Sequence, residues 1–284
     1  MTTVETRRID FDDPPPSELP HHFVSGDPAM SHVVAMLSAM FPDGEDFFVR
    51  SVRACRDEVT DPQLRELVKG FIGQEAMHGR EHRTFNERLA ALGYPTKGVE
   101  RMVDVGLRLR ERVWSRRANL AVTAALEHYT ATLAEVLLSD EAARARFDVP
   151  EVRSLLLWHA LEESEHKAVA FDVYRAAGGT ERLRRLMMDL TTVAFLVGLV
   201  GTVTVSLLKD PTTWRQPVRT ARSVAALRHS PFVDRDVRRR LRSYNRPGFH
   251  PDDLDARELV ERWRTELFGE DGDLTDRLRT GASQ

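Results

Sequence analysis

The sequence predicts an all-α protein: a four-helix bundle with additional N- and C-terminal helices. Three observations predict it. Ala, Leu, Arg and Glu, which favour helix, dominate a chain that is 42% hydrophobic, 30% charged and only 7% aromatic. No alternating run with hairpin signals appears anywhere. Apolar residues instead recur at helical spacing in long segments bounded by Pro and Gly.

Residues 1–25 read as a polar, flexible tail containing Asp12-Asp13-Pro14-Pro15-Pro16. They hold no apolar run of the kind a signal peptide needs, so the expected compartment is the cytoplasm. Asp27 to Met40 reads as a short amphipathic helix ended by Phe41-Pro42, after which Asp43 caps a helix through Glu45, Phe48, Val52 and Val59. Asp61 precedes a long helix from Pro62 to about Leu92, closed by Gly93 and Tyr94-Pro95. Residues 99–114 form a charged helix, and Arg117 to Ser139, rich in Ala, Leu and Thr, one packed on most sides. Pro150 opens the last bundle helix, reaching Tyr174 before Gly178-Gly179, so the bundle occupies 26–178.

A C-terminal helical extension follows over 179–270. Its segment Leu190–Leu208 carries no charge over 19 residues, long enough for a membrane span, although Thr, Ser and Gly temper it. Three roles fit: a core or homodimer-interface helix, a membrane-touching helix, or the lining of a tunnel for an apolar substrate. Arg182, Arg184, Arg185, Lys209 and Arg215 around it could meet lipid phosphates or form a solvated rim. Beyond Pro211 the chain turns basic, then acidic, and ends in a helix around Asp255–Leu267 and a polar tail over 271–284.

A net charge of −3 gives no reason to expect a nucleic-acid partner. The sole cysteine, Cys55, excludes an internal disulfide and thiolate metal clusters, and reads as an apolar filler. No G-x-G-x-x-G fingerprint follows a strand, so any electrons would come from an external donor.

The chemistry lies in seven residues: Glu45, Glu75, His78, Glu127, His159, Glu163 and His166. At 100° per residue, Val152, Leu155, His159, Glu163, His166 and Ala170 share about 80° of arc. Val68, Phe71, Glu75, His78, His82 and Leu89 share another face, and Leu120, Thr123, Glu127, Ala131 and Leu138 a third. A carboxylate on a core-facing stripe is costly unless neutralised. Four carboxylates and three imidazoles aimed at one interior point to two divalent cations. The Glu-x-x-His step occurs twice, at Glu75–His78 and Glu163–His166, and each is preceded by a helix with one inward Glu, which suggests two related helix pairs. Asp46 competes with Glu45, and Glu162 with Glu163, but only Glu163 stands four residues after His159 and three before His166. His82 reads as an additional ligand, a residue behind the ligands, or a partner of a carboxylate. Asp172, Asp104 and Glu162 are candidates to accept from the outer nitrogens of the imidazoles. His128 points away, and Tyr129, Trp158 and Tyr174 read as packing residues.

The segments FPDGEDFFVRSVR, GFIGQEAMHGREH, LAVTAALEHYTATLAE and WHALEESEHKAVAFDVY, with RPGFHPDDLD downstream, resemble the bacterial family labelled predicted metal-dependent hydrolase, within the ferritin-like superfamily, over residues 30–270. The ligand pattern is also similar to the di-iron p-aminobenzoate N-oxygenases, in which a further histidine precedes the last Glu-x-x-His by one turn; here that is His159. The resemblance implies a ferritin-like bundle. The expected function is a di-metal oxygenase or oxidase with two Fe ions, or Mn or mixed Mn/Fe, acting on a small molecule and drawing on an external electron donor. The alternatives are a metal-dependent hydrolase, with Zn, and a non-catalytic metal-binding or membrane-associated protein. Which carboxylates bridge, Glu127 with Glu163 or Glu45 with Glu75, stays open.

Overall fold

A computed structural model describes residues 4–11 and 18–279, and over these the chain is all-α, with a lone antiparallel bridge between Ile9 and Leu278 in place of a sheet. The helices are α1 (Pro28–Arg53), α2 (Pro62–Ala91), α3 (Thr96–Val113), α4 (Arg116–Ser139), α5 (Glu141–Arg144), α6 (Pro150–His166) and α7 (Val169–Ala176). There follow α8 (Glu181–Lys209), α9 (Pro211–Arg215), α10 (Pro217–Ala226), α11 (Arg235–Ser243) and α12 (Arg257–Phe268). Helices α1, α2, α4 and α6 form the bundle: α1 pairs with α2 and α4 with α6, and α1–α4 and α2–α6 contacts close it. Two apolar clusters fill it lengthwise, one around Met36, Leu89, Leu138 and Trp158, the other around Phe47, Phe71, Leu120 and Tyr174. The polar residues lie between them.

Several boundaries depart from the sequence reading. Phe41-Pro42 does not end a helix, and Asp43 caps nothing; α1 runs unbroken through Pro42. A proline deprives the carbonyl four residues earlier of its donor. That carbonyl belongs to Ser38, and Asn86 Nδ2 of α2 donates to it at 3.1 Å. A neighbouring helix thus supplies the bond that Pro42 removes. Conversely, the expected helix from Pro150 to Tyr174 breaks at Lys167-Ala168 into α6 and α7. No Gly or Pro marks this break; the buried Lys167 turns its Nζ to Glu135 on α4, 2.8 Å away, and to the Leu254 carbonyl. Helices α5, α9, α10 and α11 have no counterpart in the sequence reading.

Nor are the chain ends tails over their described parts. Ile9, Phe11, Phe23 and Val24 are buried near the N-terminus, as is Leu274 near the C-terminus. Residues 4–11 lie across α2, where Gly70 and Gly73 make room: a Cβ on either would overlap the Val4 carbonyl oxygen or the Thr6 hydroxyl. Arg279 N donates to Arg8 O at 2.8 Å, joining the two ends over the bundle. The Asp12–Pro16 run lies outside the described residues.

Candidate metal centre

All seven sequence-predicted residues converge in the bundle interior, each at most 4% exposed. Glu45 comes from α1, Glu75 and His78 from α2, Glu127 from α4, and His159, Glu163 and His166 from α6. They fall into two groups: Glu45, His78, His159 and Glu163, and Glu75, Glu127 and His166, with the potential ligand atoms of each group within 4.8 Å of one another. Glu163 joins the groups. Its Oε1 lies 2.9 Å from His159 Nε2 and 3.6 Å from His78 Nδ1, while its Oε2 lies 3.7 Å from His166 Nε2. Around the second group, His166 Nε2 stands 3.1 Å from Glu75 Oε1 and 3.3 Å from Glu127 Oε2.

The outer nitrogen of each imidazole has its own partner, and this fixes where the inner lone pair points. Ser38 Oγ donates to Asn86 Oδ1 at 2.7 Å, so it accepts from His82 Nδ1 at 2.8 Å. His82 Nε2 then accepts from His159 Nδ1 at 2.6 Å, leaving His159 Nε2 unprotonated toward Glu163 and Glu45. Both nitrogens of His82 are therefore occupied, and it orients a ligand rather than being one. Gln74 Nε2 donates to Glu165 at 2.8 Å, which turns its Oε1 to accept from His166 Nδ1 at 2.9 Å. His78 Nε2 donates to Glu162 Oε2 at 3.0 Å.

Three lone pairs and four carboxylates therefore face one another with few protons between them. Both oxygens of Glu45, Glu75 and Glu127, Oε2 of Glu163, Nδ1 of His78 and Nε2 of His166 are buried without a hydrogen-bond partner. Buried polar atoms are ordinarily satisfied. Orphans concentrated at the inward atoms of one cluster fit cations as the missing partners. The same crowding shows in the protonation equilibria. Burial, then the neighbouring carboxylates, push Glu45 and Glu75 well above the usual carboxylate range. Burial lifts Glu127 to about 7 against the pull of His166. Burial and His159 keep His78 neutral, as a ligand must be.

Behind the ligands stands a network that the sequence reading missed. Arg7 Nη1 donates to Glu162 Oε1 at 3.0 Å, and its guanidinium pairs with both oxygens of Glu165 at 2.8 and 2.7 Å. Arg264 Nε of α12 adds a bond to Glu165 at 2.6 Å. One arginine from the N-terminal segment thus braces the partner of His78 and, through Glu165 and Gln74, the partner of His166. The two helix-interior glycines, Gly70 and Gly73, one turn apart on α2, were the available signal that something lies close there.

The rival residues resolve. Asp46 turns outward to Arg83 at 2.6 Å, so Glu45 is the inward carboxylate. Glu162 is the acceptor for an imidazole, whereas Asp172 pairs with His250 and Asp104 with Arg108. His128 donates to the Arg240 carbonyl, Tyr129 to Thr192 and Tyr174 to the Thr180 carbonyl, all away from the cluster. A separate group of His21, His22 and Asp210 sits where α8 meets α9. There Asp210 already accepts from His21, His32 and Thr212, so that carboxylate is satisfied.

No curated protein matches the chain and no solved structure does either. One family profile, described as predicted metal-dependent hydrolase, matches residues 5–255, a stretch that begins ahead of Arg7 and contains the whole seven-residue cluster; the chain belongs to that family.

Proposed function

We propose that the protein is a two-metal hydrolase. Glu45, His78 and His159 would hold one divalent ion, Glu75, Glu127 and His166 a second, with Glu163 giving one oxygen to each. The placement of Glu163 between the two groups carries the two-ion reading. It also removes an objection to hydrolysis. Counted from the sequence, seven ligands leave few open positions. Shared in this way, each ion would receive four protein donors, and a six-coordinate ion would keep about two positions free. Ion pairs of this kind lower the pKa of a coordinated water and polarise an ester, amide or phosphate.

The chain's residues supply the rest. The chain His159–His82–Ser38–Asn86 holds one imidazole in a single tautomer. Burial removes competing water. His159, 4% exposed, is the most open of the three imidazoles, and the Phe41 ring stands 4.9 Å from it, so substrate would reach the Glu45–His159 group past Phe41. A small, apolar substrate suits that ring.

Oxygen activation by two Fe or Mn ions is the second reading. The donor set favours it: two Glu-x-x-His steps and one Glu from each of two other helices are the ligands of the ferritin-like di-iron and di-manganese bundles. It would need an external electron donor. To separate the readings, metal-free protein is reloaded with Zn, Mn or Fe(II), its ions are counted, and it is assayed on ester, amide and phosphate panels and for O2 uptake. Two ions per chain with hydrolysis independent of O2 are expected. O2 uptake with no hydrolysis on any panel overturns the first reading in favour of the second.

A further inference from the structure

Helix α8 is long and apolar enough to cross a membrane, yet one side of it is packed against α1 and α4. Met187, Met188, Thr191, Val203 and Ser206 occupy that side. The other side is bare. Leu186, Leu190, Val193, Val197 and Val200 are exposed, Val197 by 68%, and recur every three or four residues; with exposed Leu208, two turns beyond Val200, they lie within about 80° of arc at 100° per residue. Only 17% of the helix's most apolar stretch is buried. Beyond its end Trp214, 66% exposed, and Val218 continue the apolar surface on α9 and α10. At its start Arg110 Nη2 of α3 reaches Met187 Sδ at 3.2 Å, and α3 exposes Leu109 and Val113 nearby.

We propose that this surface docks on an anionic membrane, with α8 lying in the lipid interface rather than crossing it. A helix clamped on one side by the bundle cannot give its whole circumference to lipid, so it binds as an interfacial element. Charge decides between lipid and a second copy of the chain. Arg182 and Arg185 stand at one end of the row, Lys209 and Arg215 at the other. No ion pair engages these four among the described residues. The nearby acids are turned to partners: Asp189 accepts from Asn245, Glu181 from Arg184, and Asp210 from His21 and His32. Pairing two copies along α8, parallel or antiparallel, would bring basic end against basic end, which disfavours that interface. Anionic phosphates at both ends complement it. The surface stands on these side chains alone and is independent of the reaction at the metals.

The test is co-sedimentation of the full chain with vesicles of phosphatidylcholine alone and of phosphatidylcholine with 30% phosphatidylglycerol. Binding to the anionic vesicles at least tenfold tighter, weakening as salt rises, is expected, with brominated acyl chains quenching fluorescence that is lost in Trp214→Phe. The triple change Val193→Asp, Val197→Asp and Val200→Asp, at exposed positions, should reduce binding more than tenfold while circular dichroism and metal content stay as in the parent. Lys209→Glu with Arg215→Glu should remove the preference for anionic lipid. No binding at low salt, or binding untouched by the three aspartates, overturns the proposal. So does a stable dimer in sedimentation that those aspartates dissociate while vesicles go unbound.

Discussion

Glu163 and His82 show how differently two neighbouring polar residues can serve one centre. Glu163 places one oxygen in each group. Glu163→Ala is therefore expected to lower bound metal from two ions to one or none per chain, read by elemental analysis; two ions retained would remove Glu163 from the ligand set. His82 hydrogen-bonds to the cluster through His159. His82→Ala should leave all seven donors in place yet weaken metal binding about 10- to 100-fold, the usual cost of losing such an outer partner. Chelator competition measures it, and unchanged affinity would make His82 a packing residue. Sequence spacing put His82 on the right face without saying whether it bound metal. The hydrogen-bond direction through Ser38 decides that, and Ser38 lies on another helix.

At the scale of elements, the N-terminal segment and α2 act as a unit. Arg7 neutralises two buried carboxylates at once, Glu162 and Glu165. Arg7→Ala leaves both without their main counter-charge, and breaking a buried ion pair in this way costs about 3–5 kcal/mol. Urea unfolding of the metal-loaded protein should show a loss of that order; a loss indistinguishable from zero would mean that Arg264 alone suffices. Helix α1 offers a second case. Asn86→Ala would leave the Ser38 carbonyl with neither its helical donor nor its replacement, expected to cost about 1–3 kcal/mol. Paired with Pro42→Ala, which restores the helical N–H, the loss should shrink. The Pro42 device was illegible in the sequence, because a lone proline reads as a stop unless its partner across the bundle is known; the Arg7 device left only Gly70 and Gly73 as a sign.

For the whole molecule, cations and protons set the stability. Without cations the buried carboxyl groups must take up protons or repel one another and their inward atoms lack partners, so stripping the metals with a chelator should lower the melting temperature. Restoring a divalent ion at 100 times its Kd should stabilise the fold by about 2.7 kcal/mol per site. No dependence of melting on metal would contradict a cation-held bundle. A separate pH effect comes from His250, which ties the segment before α12 to Asp172 on α7 at 2.9 Å. That hydrogen bond raises the folded pKa of His250 above its ordinary value. Its contribution is thus fully present below the unfolded pKa, about 6.5, and is lost as pH rises through the folded value. His250→Ala should lower the melting temperature at pH 5.5 and leave it nearly unchanged at pH 8.5. An equal drop at both would assign His250 a packing role instead.

The sequence by itself determined the all-α class, the courses of α2, α3, α4 and α12, and the seven inward residues. Each of these follows from local rules: helix propensity, the Asp61-Pro62 start of α2, and a period that puts Glu and His on apolar stripes. Tertiary structure alone decided what depends on contacts between distant segments. Glu163 bridges two groups because α1, α2 and α4 place their donors on either side of it. Arg7 belongs to the centre because glycines more than sixty residues away let its segment lie on α2. Pro42 is tolerated because Asn86 answers for it. Helix α8 keeps a bare face because the bundle covers only its other side, and no pattern within those 29 residues records which side is covered.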